Sequence, residues 1–318
     1  MKVYCGCGKS ALYKRNSYGG ACLVIINNKQ EAIAQLKHDK HTLLEGYVTE
    51  YLFNKQFLVS MGDKYSHGWW SGTLSEKRFF FVIKDKLTTL DMEILSLLNT
   101  KYDCWQVDYS SGKWAFIKNG ESLQLDEFIS RYNLTRQQMA VEATVDTTNI
   151  DRQEKCISFF GKCGTLTEIA VERNFADNIL SVYFKGILNI DFFTKNRDGK
   201  ICIIEVKFKS ESYDGVFGIN VGEVAMFKEL REFGFLVVLT ILYKNRLNKD
   251  MSIFDYLENN EIDHSWYIKD FIEDDLDTPG VAPAKTSVDG KKMQGFYKLN
   301  MNKIIQEKYK KPLDVSLI

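Results

Sequence analysis

Hydrophobic positions along the second half of this chain switch between a helical spacing and the continuous or alternating runs of strands. Leu166, Ile169, Ala170 and Arg173 recur at three and four residues, so Cys163–Glu172 reads as a helix with Thr165 as its cap. β-rich apolar segments follow from about Leu180 to Thr194 and from Ile201 to Phe208, on either side of the turn-forming Asn196-Arg197-Asp198-Gly199-Lys200. Asn220-Val221-Gly222-Glu223 resembles a capping box opening a helix that runs to about Phe233 and stops at Gly234. Phe235 to Tyr243 is almost wholly apolar, as expected of a strand buried on both faces. The order is helix, three strands, helix, strand.

The first 150 residues predict a mixed α+β domain. Ala21–Ile26 and Arg78–Ile83 read as strands, while the residues after Lys29, His41–Phe53 and Asp91–Leu98 read as helices. Trp105–Tyr109 and Lys113–Ile117 form an expected hairpin around Ser110-Ser111-Gly112. Leu125–Gln138 has the pattern of two short helices, with Thr135 and Gln138 as a capping box, joining this region to the next. Beyond the central elements, Asp255–Asp277 is acidic and interleaved with Phe254, Tyr256, Trp266, Tyr267 and Phe271, suggesting amphipathic helices. Thr278–Gly290 reads as a loop. Lys291, Lys292, Lys298, Lys303, Lys308, Lys310 and Lys311 make the tail basic, as a solvated helix face or as phosphate contacts. The expected division is 1–150, 151–250 and 251–318, with a fragment from Asp151 carrying the central constellation by itself.

Composition narrows the class. At 318 residues, 45% hydrophobic and 26% charged, the chain has the makeup of a globular protein with room for two domains. A formal net charge of zero excludes a global basic field, so any surface for nucleic acid must be local. The start at Met1-Lys2-Val3 lacks a signal-like apolar run, and no segment approaches the roughly 20 apolar residues of a membrane span, so a cytoplasmic protein with no membrane partner is expected. Seven cysteines, an odd number, argue against a secreted disulfide framework. Cys5, Cys7 and Cys22, with His38 or His41, lack the spacing of a zinc knuckle and read as structural.

The chemistry concentrates around the central turn. A two-residue Asp198-Gly199 loop would set Asp191 opposite Val206; with Arg197-Asp198-Gly199 as a three-residue turn, Asn196 pairs with Lys200 and Asp191 faces Glu205. Alternation then projects Glu205 and Lys207 together, while Ile204, Val206 and Phe208 point the other way. Two adjacent carboxylates repel and lose hydration, a defect that a divalent cation removes. Hard carboxylate oxygens suit Mg²⁺. The Lys207 ammonium could orient or help deprotonate an attacking water and offset charge on a phosphate.

On Asp191, Glu205-Val206-Lys207, Glu168 and the elements around them, the stretch Lys162–Tyr243 resembles the PD-(D/E)xK nuclease superfamily, nearest to its Holliday-junction resolvase-like branch. The resemblance implies an α/β protein with a restriction-endonuclease-like core and an N-terminal mixed α+β domain. It further implies a Mg²⁺-dependent DNA endonuclease, with Mn²⁺ as a substitute. Asp191 and Glu205 would be metal ligands, Lys207 the catalytic lysine, and Glu168 a further acid reaching the metal through water, with Glu172 one turn on as its alternative. Isoleucine rather than proline precedes Asp191, a departure this superfamily tolerates. Asp198-Gly199-Lys200 and Asp289-Gly290-Lys291 match Asp-x-Lys too, but lie in turns.

Two rivals stand beside this reading: a DNA-binding or assembly protein that keeps the fold while internal Lys or Arg partners occupy the carboxylates, and an RNA nuclease. The N-terminal domain is the expected place for target reading, a protein partner or a homodimer contact. Trp69, Trp70, Trp105 and Trp114 read first as core and second as base-stacking platforms.

Overall fold

Period-3.6 and continuous apolar runs become helices and strands close to the residues where the pattern places them, but their partners cut across the linear order. The computed structural model describes residues 3–4, 10–11, 25–136, 149–210, 215–259, 261–271, 276, 280–283, 293–300 and 309–314. The chain forms two units, one from residues 1–40, 66–149 and 157–190 and the other from 41–65, 150–156 and 191–318. Each is assembled from three separate stretches. Residues 1–150 therefore do not make a unit alone, and the expected divisions at 150/151 and 250/251 do not follow these two units.

In the first unit, with elements numbered along the whole chain, β1 (Val3–Tyr4) and β2 (Ser10–Ala11) pair as a short ladder and Asn28 caps α1 (Lys29–Leu36). Its main sheet uses β4 (Trp69–Leu74), β5 (Lys77–Ile83), β6 (Asp103–Asp108), β7 (Ala115–Lys118), β8 (Glu121–Gln124) and β9 (Lys185–Ile190). The strand order is β8-β7-β6-β5-β4-β9. β4–β5 and β7–β8 turn through residue pairs with two positive φ angles, Ser75 (46°) with Glu76 (70°) and Asn119 (52°) with Gly120 (82°), the backbone that matches strand twist. β5 and β6 run parallel, with α3 (Thr89–Leu98) between them, and Thr88 and Asp91 cap that helix reciprocally.

Asp91 is fully buried and satisfied: Lys84 Nζ lies 3.0 Å from both its oxygens, Thr88 N donates at 2.7 Å, and Ser66 Oγ also donates. Burial opposes its charge, but Lys84, Ser66 and Thr88 outweigh that and hold the carboxyl below its ordinary pKa.

Aromatic rings fill this unit's core. α4 (Leu125–Arg131) brings Phe128 onto Phe116, stacked at 3.9 Å, and α6 (Leu166–Phe175) brings Phe175 edge-on to Phe81. Trp69, Trp70, Trp105 and Trp114 are 0%, 6%, 1% and 4% exposed, so all four are core and none presents a face to a base. Between α6 and β9, Ala176–Leu180 is a π-helical turn and Ser181–Tyr183 is α7, so the strand expected from about Leu180 begins only at Lys185. The run Leu180, Val182, Tyr183, Phe184 is buried throughout, and an apolar run of that length carries no period to separate helix from strand. Phe184 packs beneath Gly72, where an added Cβ would lie 2.9 Å from the Phe184 Cβ. Thr165 stands at the start of α6, but its hydroxyl is buried without a hydrogen bond and caps nothing.

Several other expectations meet the described residues only in part. Of Ala21–Ile26, residues 21–24 lie outside them and 25–26 carry no regular structure. Thr135 follows α4 in irregular backbone, and Gln138 lies outside the described residues, as do Cys5, Cys7 and Cys22.

The second unit is built on the order β17-β14-β13-β11-β10-β3. These strands are β3 (Tyr65–Ser66), β10 (Phe192–Lys195), β11 (Ile201–Lys209), β13 (Leu236–Tyr243), β14 (Ser265–Asp270) and β17 (Tyr309–Pro312). β10 and β11 are antiparallel, whereas β11 and β13 are parallel. The parallel pair requires a crossover, and α8 (Val221–Glu232) lies within it. A smaller sheet orders β12 (Val216–Asn220), β16 (Met293–Asn300) and β15 (Gly280–Pro283) as β12-β16-β15. α2 (His41–Phe53) packs on β11 and on α9 (Ile253–Glu258), and α5 (Ile150–Cys163) begins in this unit and ends in the other.

The fold is mixed α/β, with differences from the expected core. The strands between α6 and α8 do not share one sheet: β9 pairs with β4, β12 with β16, and only β10 and β11 belong to the sheet of β13. Among the described residues of Asp255–Asp277, helix is confined to α9, which ends at Glu258, and Trp266 and Tyr267 sit on β14 between β13 and β17. Within Thr278–Gly290, residues 280–283 form β15 rather than loop. Lys298 lies on β16 and Lys310 and Lys311 on β17, so these are strand lysines; Lys291, Lys292, Lys303 and Lys308 lie outside the described residues.

The contribution of α2 makes a direct prediction. It buries Leu44, Tyr47, Val48, Leu52 and Phe53, each worth roughly 1.5–3 kcal/mol, a sum comparable to the whole stability of a domain. A fragment beginning at Asp151 is therefore expected to lack a cooperative thermal transition. Calorimetry showing one would mean that α2 is dispensable.

Candidate functional site

The central turn forms with three residues. Asn196 N donates to Lys200 O at 2.9 Å, the Asn196 side-chain oxygen accepts from Asp198 N and Lys200 N at 3.0 and 2.9 Å, and Gly199 takes a φ of 78°. The ladder continues through Thr194 opposite Cys202 to Phe192 opposite Ile204, which leaves Asp191 level with Glu205. There the strand departs. Ile190, which would next face Val206, pairs instead with Trp69 in β4. The Asp191 carboxylate takes the bond the ladder gives up, accepting from Val206 N at 2.7 Å.

Glu205 sits within six consecutive buried residues of β11 and is 1% exposed. One carboxylate oxygen accepts from Lys207 Nζ; the other, Oε2, is buried with no hydrogen-bond partner. Lys207 Nζ also lies 3.4 Å from Oε1 of Glu223, in the first turn of α8. Burial and the Asp191 charge push the Glu205 carboxyl well above its ordinary pKa, with Lys207 opposing and Glu223 adding. Burial disfavours the charge on Lys207, but Glu205, Glu223 and Asp191 outweigh it and hold the ammonium protonated well above the usual lysine range. The Lys207 ammonium is therefore held charged by the carboxylates around it.

Comparison with protein-family models, with curated proteins and with solved structures gives no match. Chemistry has to be read from these side chains. The structure brings Asp191, Glu205 and Lys207 together in the second unit, whereas Glu168 belongs to the first. Glu168 is exposed on α6, with Oε1 3.4 Å from His67 Nε2. Loss of hydration and the nearby Lys84 ammonium lower the His67 pKa to about 4, so this contact involves a neutral ring at neutral pH. Glu172, the alternative upstream acid, accepts from Trp70 Nε1 at 2.9 Å. Among the described residues no group of three or more His, Cys, Asp or Glu side chains is arranged to hold a metal ion.

Glu223 is the site residue that sequence reasoning missed. Its position three residues after Asn220 suggested a capping box, and Asn220 does cap α8 by accepting from Gly222 N at 2.7 Å. The Glu223 carboxylate faces Lys207 instead. An acid at the third position of the helix that follows β11 and β12 was the available signal, but its direction depends on how α8 crosses from β11 to β13.

The orphaned Glu205 oxygen fixes the sign of two measurements. A carboxyl with a raised native pKa favours folding below its unfolded pKa, near 4.5, and loses that contribution as pH rises toward the native value. Glu205→Gln should remove this slope and, with Lys207 still beside Glu223, stabilise the chelator-treated protein at neutral pH. Urea titrations across pH would contradict this if the variant were less stable than the parent at pH 7.

Proposed function

We propose that this chain is a metal-dependent nuclease hydrolysing phosphodiester bonds in DNA, and that the second unit holds a PD-(D/E)xK, restriction-endonuclease-like site. The observation that carries the reading is the Glu205 oxygen, buried without a donor, in a strand-borne carboxylate level with Asp191 and flanked by Lys207. A buried acid with an open lone pair is costly unless something positive completes it. Lys207 is the ammonium shared by Glu205 and Glu223.

Hard oxygen donors at Asp191 and Glu205 suit Mg²⁺ or Mn²⁺, with the remaining positions left to water and substrate phosphate. Such a cation would supply a polarised water and charge stabilisation at the phosphate. The chain's own residues do the positioning: Val206 N–H fixes the Asp191 carboxylate, and β11 presents Glu205 and Lys207 from one strand. The Lys207 ammonium would hold a phosphate oxygen and offset its growing charge. The further acid that the resemblance implies, Glu168, lies in the first unit, and this reading gives it no place at the cation. DNA rather than RNA as substrate rests on that resemblance too, as does a cytoplasmic setting; no described helix is long and apolar enough to cross a membrane.

One observation favours a second reading. Lys207 already engages Glu205, the arrangement expected of a DNA-binding or assembly protein that retains the fold without cleaving.

Incubating the full chain with Mg²⁺ or Mn²⁺ and a panel of duplex, single-stranded and branched DNA and RNA separates these readings. Cleavage of DNA that needs the cation is expected, with Lys207→Ala lowering the rate roughly 10²–10³-fold while leaving a folded, DNA-binding protein. Mn²⁺ should raise the melting temperature of the parent but not of Asp191→Asn. DNA binding without cleavage under any cation, together with no Mn²⁺ shift, would support the non-cleaving protein; cleavage confined to RNA would replace the substrate.

A further inference from the structure

The position of Glu223 raises a question that two metal ligands and a lysine leave open. Lys207 Nζ bonds Glu205 Oε1, so a cation approaching Glu205 meets an ammonium on the same carboxylate. Like charges cannot share that group closely without cost, and Lys207 must move or the cation must stay away. A second acid lies within a short displacement: Glu223 Oε1 is 3.4 Å from the same nitrogen. Glu223 stands in the first turn of a 12-residue helix whose start is fixed by the Asn220 cap, so its carboxylate is held on a rigid element. Independently, Glu205 Oε2, on a side chain 1% exposed, is a buried acceptor with no hydrogen-bond donor.

We propose that Glu223 is a positioning residue that takes over the Lys207 ammonium when a divalent cation occupies Glu205. The inference rests on the metal-dependent reading of the same site. A lysine shared between two carboxylates can be handed from one to the other without losing its partner. Lys207 then remains anchored beside the substrate phosphate, and Glu205 is released to the cation. Without Glu223, the ammonium has Glu205 as its remaining carboxylate partner in this pair of ion contacts, and it competes directly with the cation.

Mn²⁺ affinity, measured by electron paramagnetic resonance on the full chain, tests the handover apart from catalysis. Glu223→Gln preserves shape and removes the charge, and should weaken Mn²⁺ binding by roughly tenfold or more, the range for residues that orient metal ligands. Its turnover at saturating Mn²⁺ should also fall, because Lys207, displaced from Glu205 by the cation, then lacks the Glu223 carboxylate that would anchor it beside the phosphate. Glu223→Asp restores a carboxylate and should recover part of both losses, a rescue that a helix-end packing role would not give. If Glu223→Gln melts lower yet binds Mn²⁺ as the parent does, Glu223 serves only the helix and the handover is wrong. If the parent itself binds no Mn²⁺ in the millimolar range, the metal reading fails and takes the inference with it. The two failures are distinguished by the parent protein alone.

Discussion

A carboxylate placed inside a strand buried on both faces is the constraint around which the second unit is organised. Ile201 to Val206 are all buried, and five of the six satisfy that environment with apolar side chains or a thiol. Glu205 does not. An ionised acid there needs a cation, hydrogen bonds or a proton. Lys207, two residues on, gives one oxygen an ammonium, and Asp191 and Glu223 add further negative charge around it. No choice of local secondary structure requires this grouping. It arises because a hairpin, a parallel strand pair and the helix between them converge on one stretch of β11, and stability is conceded where those elements meet.

Asp191 has a structural task. It is the single residue between β9, laddered to β4, and β10, laddered to β11. A strand that changes sheets strands the main-chain groups of the neighbour it leaves, and a short acid at the exit can satisfy one of them. The bond from Val206 N does this. It also fixes the carboxylate one residue along the chain from Glu205, so the end of a ladder and the geometry of an acid pair are set by the same contact. Asparagine could accept the same main-chain bond, whereas only the carboxylate brings the charge felt by Glu205.

What was legible in the sequence had local causes. Asp198-Gly199 within an asparagine-led turn fixed the hairpin register, because Asn196 can accept from two main-chain groups only when three residues separate it from Lys200. The limits of α8 followed from Asn220 and Gly234, and β13 from eight residues of mainly apolar sequence. What was not legible depended on distant partners. β12 looks like part of the central run, yet its ladder is with β16, beginning at residue 293. Ser265–Asp270 mixes apolar and charged residues in a way that suits an amphipathic helix, and becomes a strand because β13 and β17 flank it. The assignment of α2 to the sheet formed by β11 has no local signature at all. Local pattern specifies the period of a segment; the identity of the segment that covers it is decided by the rest of the chain.

The same distinction governs the chemistry of Lys207. Read along the strand, a lysine two residues from an acid on a common face could serve as an ammonium or, if desolvated alone, as a base, since burial by itself would lower its pKa. The choice is made by residues far away in sequence. Asp191 lies 16 residues before it and Glu223 16 residues after, and with Glu205 they more than reverse the effect of burial. A lysine so surrounded keeps its proton. Under a hydrolytic reading its contribution would be fixed charge held where a phosphate would gain negative charge. Asp191, Glu205 and Glu223 act together on that ammonium, and no one of them is marked out for the task by its own local sequence.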